Sequence, residues 1–162
     1  MTCCNGHLWR ARPRGDYLPV MKISDVLRNK GDEVVTIRPD DTVAHLLAVL
    51  DERKIGAVVV SADGRAVDGI VSERDVVRHL HRTGSSVVDG PVSAIMTSDV
   101  TTCQRDDDLE VLARTMTDQR IRHVPVTVDG ALHGLVSIGD VVKLRIDTLQ
   151  SERDQLVGYI QQ

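Results

Sequence analysis

A serine followed three residues later by an aspartate occurs twice in this chain, as Ser72 with Asp75 and as Ser137 with Asp140. Each pair follows a short apolar run, so it lies where a strand turns into a helix. There the carboxylate can close a capping box at the helix start. It can equally accept hydrogen bonds from both hydroxyls of a ribose, while the serine hydroxyl and free helix N–H groups face a phosphate. A single copy favours the cap, and the residues alone leave both interpretations open.

Basic side chains able to hold a phosphate stand ahead of one apolar strand. Arg120, Arg122 and His123 occur together, and Pro125 follows two residues later. An arginine guanidinium offers a planar fork of donors to phosphate oxygens, and the charge of a histidine changes near neutral pH. The ordinary alternative is a solvated helix end, where cations lie favourably beside the carbonyl dipole. The two explanations have equal standing for this segment alone.

The composition favours a compact domain and argues against several classes of protein. Of 162 residues, 41% are hydrophobic and 27% are charged, which fits a globular protein rather than a disordered or fibrous one. The net charge of −4 provides no field that attracts polyanions, and aromatic residues make up only 2% of the chain. We therefore do not expect nucleic acid as a partner, apart from a weaker alternative in which the arginines of the first twenty residues bind it.

We expect neither a membrane span nor a secreted protein. The longest apolar run is about that of residues 57–60, whereas a spanning helix needs roughly 20 such residues. Cys3, Cys4 and Cys103 form no C-x-x-C pair and no even-numbered disulfide framework, which indicates the cytoplasm. Cys103 falls in a predicted strand and is most simply a small buried hydrophobe.

The chain contains an internal repeat. Residues 34–37 align with residues 100–103 at an offset of 66. After the loss of one loop residue the register continues at an offset of 65, which aligns Ser72 with Ser137. A register held over this length is not a coincidence, and it fixes the organisation of the fold.

Each copy has the same predicted order of elements. A β-branched run is followed by an acidic turn, at residues 39–41 or 106–108, whose carboxylates suit a helix start. Apolar residues at three- and four-residue spacing then predict a helix with one buried stripe. Two strands joined by an Asp-Gly turn and a closing helix near Asp75 or Asp140 complete a β-α-β-β-α unit. Two such units, of about 60 residues each, are too small to be stable alone and should pack on each other.

These patterns also predict the boundaries of the parts. We expect a flexible N-terminal arm over residues 1–20, a first repeat over 21–82, a linker over 83–91, a second repeat over 92–146 and an amphipathic helix over 147–162. The linker is inferred from its glycines and proline. The C-terminal helix is inferred from apolar residues spaced by three, seven and four, and packing on a partner chain or on the body of the protein is equally expected.

The paired unit resembles a tandem cystathionine-β-synthase (CBS) domain pair, also called a Bateman module. The motif pieces that carry the resemblance are residues 58–60 and 124–126 in the strands, and residues 69–75 and 134–140 at the helix starts. The resemblance covers roughly residues 22–143, and the C-terminal helix looks like that of stand-alone bacterial members. It implies an α+β fold in which two β-α-β-β-α repeats pack as a pseudo-twofold pair, extended by a C-terminal helix. It also implies a disc-like homodimer.

The resemblance implies a regulatory module without catalytic activity. Members of the family bind adenosine-containing ligands, such as AMP, ADP, ATP, NAD or S-adenosylmethionine, in clefts between the two repeats. In the family the aspartate of the Ser-x-x-Asp motif is the ribose ligand, which implies that role for Asp75 and Asp140. A ligand that touches both repeats shifts their packing only as far as it binds one arrangement better than another.

The two clefts are expected to differ. We expect the cleft around Asp140 to include Arg122 and His123 and to suit a phosphorylated ligand. The cleft around Asp75 is expected to have Arg74 and extra space, since a glycine and an alanine align with the Arg-His pair. The candidate ligand-binding residues are Thr36, Gly56, Ala57, Ser72, Arg74, Asp75, Thr102, Arg122, His123, Pro125, Ser137 and Asp140.

Two of these candidates have a simple alternative explanation. Thr36 and Thr102 end the first strand of each copy. They are equally well explained as walls of an adenine site and as ordinary strand formers.

Catalysis finds no support in the sequence. It contains no Walker loop, no G-x-S-x-G and no H-E-x-x-H motif. His79 and His81 are two residues apart, so on a helix they point to different faces and not to one metal ion. We expect neither an enzyme nor a metal site. The alternative function is a protein-interaction scaffold with vestigial ligand sites, whose C-terminal helix engages an unidentified protein.

Overall fold

The computed structural model describes residues 21–31 and 33–160 of the chain, so the predicted N-terminal arm lies outside the described residues. The elements, in chain order, are α1 (Ile23–Lys30), β1 (Thr36–Ile37), α2 (Val43–Arg53), β2 (Ala57–Val60), β3 (Gly69–Ser72), α3 (Glu73–Thr83), β4 (Cys103–Gln104), α4 (Leu109–Asp118), β5 (His123–Val128), β6 (Ala131–Ser137) and α5 (Ile138–Ile160). The predicted α+β fold, with a β-α-β-β-α unit in each half, is confirmed.

Each repeat has its own three-stranded sheet, and the two sheets have the same topology. The strand order is β1-β2-β3 in the first and β4-β5-β6 in the second. In both, the first two strands are parallel and the last two are antiparallel. Ile37 pairs with Val60 and Cys103 pairs with Val126, at equivalent positions of the two copies. The repeat found in the sequence is therefore a repeat of structure.

The acidic turns begin their helices in two different ways. In the second repeat Asp108 caps α4, and its Oδ1 atom accepts a hydrogen bond of 2.7 Å from the Glu110 amide, as the sequence predicts. In the first repeat the cap of α2 is Thr42, whose Oγ1 atom accepts a bond of 3.2 Å from the His45 amide. The carboxylate of Asp41 instead accepts from the Arg38 amide, so it stabilises the turn before the helix.

The repeats complete each other's cores. Ile23 and Leu27 of α1, at the start of the first repeat, are buried in the core of the second repeat. Val92 and Ile95, at the start of the second repeat, are buried in the core of the first. Sequence analysis did not predict α1, because its residues lie before the aligned segments. The exchange brings the C-terminal end of α1 to the second repeat.

Cys103 is a small buried residue in β4, as the sequence predicts. It is 7% exposed and belongs to the core of the second repeat. Burial raises the pKa of its thiol to about 12, so the thiol stays protonated and unreactive.

The predicted boundary at residue 147 is not a structural break. α5 continues from Ile138 to Ile160 as one helix, and the predicted linker contains a 3-10 helix, Gly84–Asp89. A second 3-10 helix is formed by Val92–Ala94. Several large apolar side chains of α5 are exposed, namely Val142, Ile146, Leu149, Leu156, Val157 and Tyr159. Within the part of the chain that the structure describes, no helix is long and apolar enough to cross a membrane.

Candidate functional site

A cavity of about 860 Å³ lies where the two repeats meet. The first repeat contributes the start of β2, part of β3 and the first turns of α3, and the second contributes its leading segment and the connection from α4 to β5. The residues used below that line the cavity are Gly56, Ala57, Ile70, Ser72, Glu73, Arg74, Asp75, Arg78, Thr97, Asp99, Val100, Arg120, Ile121, Arg122, His123 and Ile138. Both repeats therefore contribute to one site.

Asp75 forms a capping box and still has one free oxygen. Its Oδ2 atom accepts hydrogen bonds from the Ser72 amide at 2.9 Å and from the Ser72 hydroxyl at 2.6 Å. No donor among the described residues reaches Oδ1 of Asp75. The cap thus occupies one oxygen only, and the other can accept a hydroxyl of a ligand that lies in the cavity. The two interpretations of the Ser-x-x-Asp motif are compatible here.

Four arginines from two parts of the chain line the same cavity. Arg74 and Arg78 come from α3, while Arg120 and Arg122 come from the connection between α4 and β5. Nη1 of Arg74 donates a hydrogen bond of 3.4 Å to the carbonyl oxygen of Arg120, which holds these two residues together across the cavity. Sequence analysis did not single out Arg78, although its spacing of three from Asp75 places both on one face of the helix.

His123 lies at the start of β5, partly buried against the first repeat. A Cβ atom built at Gly56 would lie 3.7 Å from Cε1 of His123, which is ordinary contact. Burial lowers the pKa of His123, Lys30 and Arg122 lower it further, and Asp140 and Glu73 oppose the shift. The lowered pKa favours the neutral imidazole at pH 7, which can donate or accept a hydrogen bond.

The second copy of the motif has a different environment. Oδ2 of Asp140 accepts from the Ser137 amide at 2.8 Å, from the Ser137 hydroxyl at 2.7 Å and from Nζ of Lys30 at 2.8 Å. Nζ of Lys30 also donates to the carbonyl oxygen of Leu135 at 3.1 Å. Burial raises the pKa of Asp140, but the donors from Lys30 and Ser137 outweigh it, and the pKa lies below its ordinary value.

Two residues that the sequence groups with Asp140 also face the first repeat. Arg122 and His123 line the cavity that contains Asp75, and Asp140 does not line it. The reason is that the repeats face each other, so the connection before β5 of the second repeat approaches the start of α3 in the first. His123 nevertheless stays near Asp140, since it pairs with Ser137 across the second sheet and the charge of Asp140 acts on its pKa.

Several candidates lie away from this cavity. Thr36 pairs with Val59 inside the first sheet, and Pro125 is buried in β5 opposite Leu135. Thr102 is exposed in the segment before β4. These three residues, with Ser137 and Asp140, are candidates that the cavity does not contain, while Gly56, Ala57, Ser72, Arg74, Asp75, Arg122 and His123 line it.

One wall of the cavity was not expected from the sequence. Residues 97–101 run beside the edge of β3, where the Ile70 amide donates to the Thr97 carbonyl at 3.0 Å and the Thr97 amide donates to the Ile70 carbonyl at 2.9 Å. This pairing extends the sheet by one bridge and places Asp99 and Val100 in the lining. No local pattern predicts it, because it joins residues far apart in the chain.

Comparison with known proteins agrees with this architecture. The family model of the CBS domain matches residues 23–82 and 92–147. The chain is 36% identical over 147 residues, 86% of its length, to the CBS domain-containing protein CBSX3, mitochondrial, from Arabidopsis thaliana, of which 71% is covered. Among solved structures it is similar to the CBS-domain containing protein ATU1752 from Agrobacterium tumefaciens, with 44% identity, a TM-score of 0.74 and coverage of 77% of this chain and 99% of that one.

A second solved structure is relevant to ligands. The chain is similar to CBSX2, described in complex with AMP, with 26% identity and a TM-score of 0.64, covering 78% of this chain and 97% of that one.

Proposed function

The chain belongs to the CBS-domain family, and from this premise we propose that it is a non-catalytic regulatory module that binds an adenosine-containing ligand in the cavity between its repeats. The ligand classes in question are AMP, ADP, ATP, NAD and S-adenosylmethionine. The observation that carries the proposal is the position of Asp75, which lines a cavity built by both repeats and whose Oδ1 atom accepts from no donor within residues 21–31 and 33–160.

The cavity suits an adenosine ligand in size and in character. Its volume of about 860 Å³ lies within the range of small-molecule sites. Four partly buried apolar residues in its lining can contact the faces of an adenine ring: Ile70, Val100, Ile121 and Ile138. The ribose hydroxyls then meet Asp75, and arginines lie nearby for phosphate. The AMP complex of the related CBSX2 supports the same ligand class.

Signalling follows from the shared construction of the cavity. A ligand in it contacts elements of both repeats, so its binding free energy differs between arrangements of the pair and shifts their populations. The output surface in this proposal is α5, which begins at Ile138 in the lining and ends far from it. A homodimer is part of the proposal, and native mass spectrometry at several concentrations measures it. The cytoplasmic placement stays a prediction, and the Arabidopsis relative is named as mitochondrial.

A thermal-shift panel tests the proposal. Adenosine, AMP, ATP, NAD and S-adenosylmethionine are each added to the full chain and to Asp75→Ala. A binding ligand at a hundredfold excess over its dissociation constant stabilises the folded protein by about 2.7 kcal/mol. We expect at least one of these compounds to raise the melting temperature of the wild type, and the same concentration to raise that of Asp75→Ala less. A panel in which none of them raises the wild-type melting temperature would overturn the proposal.

The alternative is a protein-interaction scaffold with vestigial ligand sites. The exposed apolar side chains of α5, including Ile146 and Leu149, are the observation that favours it. If no adenosine compound stabilises the chain, and Ile146→Lys abolishes binding to a partner protein without unfolding the chain, this alternative replaces the proposal.

A further inference from the structure

We propose that the cavity selects its ligand by phosphate chain length, favouring a nucleoside diphosphate or triphosphate over the monophosphate. The inference rests on the proposed function, because it places the adenosine part of the ligand at Asp75. The observation behind it is that four arginines, Arg74, Arg78, Arg120 and Arg122, line one cavity.

None of these arginines is neutralised by contact. Three carboxylates also line the cavity, those of Glu73, Asp75 and Asp99. Within residues 21–31 and 33–160, no carboxylate oxygen lies within 4.0 Å of any of the four guanidinium groups. Like charges gathered in a partly enclosed site repel one another, and an anion of high charge relieves that repulsion.

The repeat provides an internal comparison for each arginine. At the register of 65 or 66 residues, the counterparts of Arg74, Arg78, Arg120 and Arg122 are Gly139, Lys143, Lys54 and Gly56, in that order. Two positions thus have no charge in the other copy. A third is neutralised, because Nζ of Lys54 lies 3.5 Å from a carboxylate oxygen of Asp51, and Thr117 stands at the counterpart of Asp51. The concentration of free guanidinium groups is specific to one side of the pair.

Arg120 occupies its place against a conformational preference. Its φ of 56° lies in the left-handed region, and Lys54 has nearly the same value, 54°. Glycine is the residue that this conformation favours at a helix end, since it has no Cβ atom to strain the backbone. A long cation is nevertheless present at the edge of the cavity, and the carbonyl of the same residue accepts from Arg74.

The chemistry of the ligand follows from where the arginines are attached. Two of them stand on α3 of the first repeat and two on the connection before β5 of the second. A single phosphate group has three outer oxygens, so it can engage only some of the donors of four guanidinium groups. A chain of two or three phosphates has more oxygens, more charge and a greater reach. Each added phosphate can bridge further guanidinium groups, so affinity should rise along the series from AMP to ATP.

Isothermal titration calorimetry of the full chain tests the inference. Adenosine, AMP, ADP and ATP are titrated at one ionic strength in buffer containing a chelator, so that divalent cations do not mask the phosphates. A charge-assisted hydrogen bond gained is worth about tenfold or more in affinity, and we expect ATP to bind at least about tenfold more tightly than AMP on that basis. Equal affinities for AMP and ATP would overturn the inference.

Matched variants identify the residues responsible. Arg120→Gly removes one cation and relieves the left-handed backbone, so the fold is retained and the melting temperature confirms it. We expect Arg120→Gly and Arg78→Gln each to lower the affinity of the chain for ATP about tenfold. The affinity for AMP should fall much less. The controls are Lys54→Gly and Lys143→Gln, which make the same changes at the counterpart positions outside this cavity. If the control variants lose as much affinity for ATP as the arginine variants do, the assignment of the phosphate contacts to Arg78 and Arg120 is wrong.

The outcomes separate this inference from the proposed function. If AMP binds as tightly as ATP, and binding of both depends on Asp75, the proposed function stands and the phosphate selectivity falls. Inorganic tripolyphosphate is the probe for charge alone. If tripolyphosphate binds and needs Arg120 while no adenosine compound binds, the arginine site is retained as an anion site and the proposed function falls.

Discussion

The two copies of the Ser-x-x-Asp motif have the same local geometry and different surroundings. In each, the carboxylate closes a capping box with its serine, through bonds of 2.6 to 2.9 Å around Asp75 and 2.7 to 2.8 Å around Asp140. Among the residues that the structure describes, only Asp140 receives a further donor, the ammonium group of Lys30. Duplication has thus preserved the helix start in both copies, while the groups that meet the carboxylate from the other repeat have diverged.

The divergence can be traced to one position. The counterpart of Lys30 at the offset of 66 is Met96, an apolar residue. Next to Met96, the backbones of Thr97 and Ile70 pair in both directions and form a wall of the cavity. At the counterpart position, the carbonyl oxygen of Leu135 instead accepts a hydrogen bond from Nζ of Lys30. A cation occupies one side of the pair, and an open cavity lined by arginines occupies the other.

Charge reversal should show the largest difference between the two sides. Arg74→Glu removes a cation from the cavity and adds an anion. We expect the affinity for ATP to fall roughly 100-fold, which is the equivalent of two lost charge-assisted hydrogen bonds. Gly139→Glu places the same side chain at the counterpart position, where a carboxylate in the first helical turn is tolerated. Calorimetry should show wild-type affinity for Gly139→Glu. A similar loss in both variants would mean that the two sides share one ligand.

Glycine-to-alanine changes at equivalent strand positions should separate stability from binding. A Cβ at Gly134 would lie 2.7 Å from Leu27, a fully buried side chain, so we expect Gly134→Ala to lower the free energy of unfolding by about 1–3 kcal/mol. A Cβ at Gly69 would press on the flexible end of Met96 and lie 3.1 Å from the carbonyl of Thr97. Gly69→Ala should therefore displace the cavity wall and lower ligand affinity, which Gly134→Ala should not do. Urea unfolding and calorimetry measure both quantities.

Replacing Lys30 by the residue of its counterpart tests the ion pair. The side chains of Lys30 and Asp140 are 41% and 23% exposed, so we expect Lys30→Met to cost less than about 1 kcal/mol at pH 7. The pKa of Asp140 is lowered in the folded protein, so its contribution is present above its ordinary pKa and is lost as the pH falls through the lowered value. The stability difference between wild type and Lys30→Met should disappear over that acid range. A difference that persists at low pH would assign the effect to packing.

The smallest expected effect concerns His123. Its pKa is lowered in the folded protein, mainly by burial and then by Lys30, from the ordinary value of about 6.5. Below about pH 6.5 the unfolded chain binds a proton more readily than the folded one, so this residue reduces stability as the pH falls and has no effect above that range. Thermal melts at pH 7.5 and pH 5.5 should show a smaller loss for His123→Gln than for the wild type. An equal loss would mean that other groups account for the whole pH dependence.

Local patterns in the sequence were sufficient to predict the repeat unit and half of the site. The offset of 65 to 66 residues, the Ser-x-x-Asp motif and the Asp-Gly turns are all local, and they correctly predicted the strands and the helix that begins near Asp75. The alignment also drew attention to Gly56, Arg74 and Arg122, which line the cavity.

What the sequence did not provide depends on packing between distant segments. The exchange of α1 onto the second repeat brings Lys30 to Asp140, across a separation of 110 residues, and no periodicity indicates it. For the same reason the sequence did not indicate that Arg122 lines the cavity that contains Asp75. Thr36 lies in the edge strand β1 and Pro125 in the central strand β5, and neither lines the cavity.

The difference between the two aspartates is tested most directly by calorimetry of ATP with the wild type, Asp75→Asn and Asp140→Asn. Both substitutions alter the same kind of capping box, so each serves as the stability control for the other. We expect one ATP bound per chain in the wild type, a loss of about tenfold or more in affinity for Asp75→Asn, and nearly wild-type binding for Asp140→Asn. Two ATP molecules per chain, or equal losses in the two variants, would contradict the account.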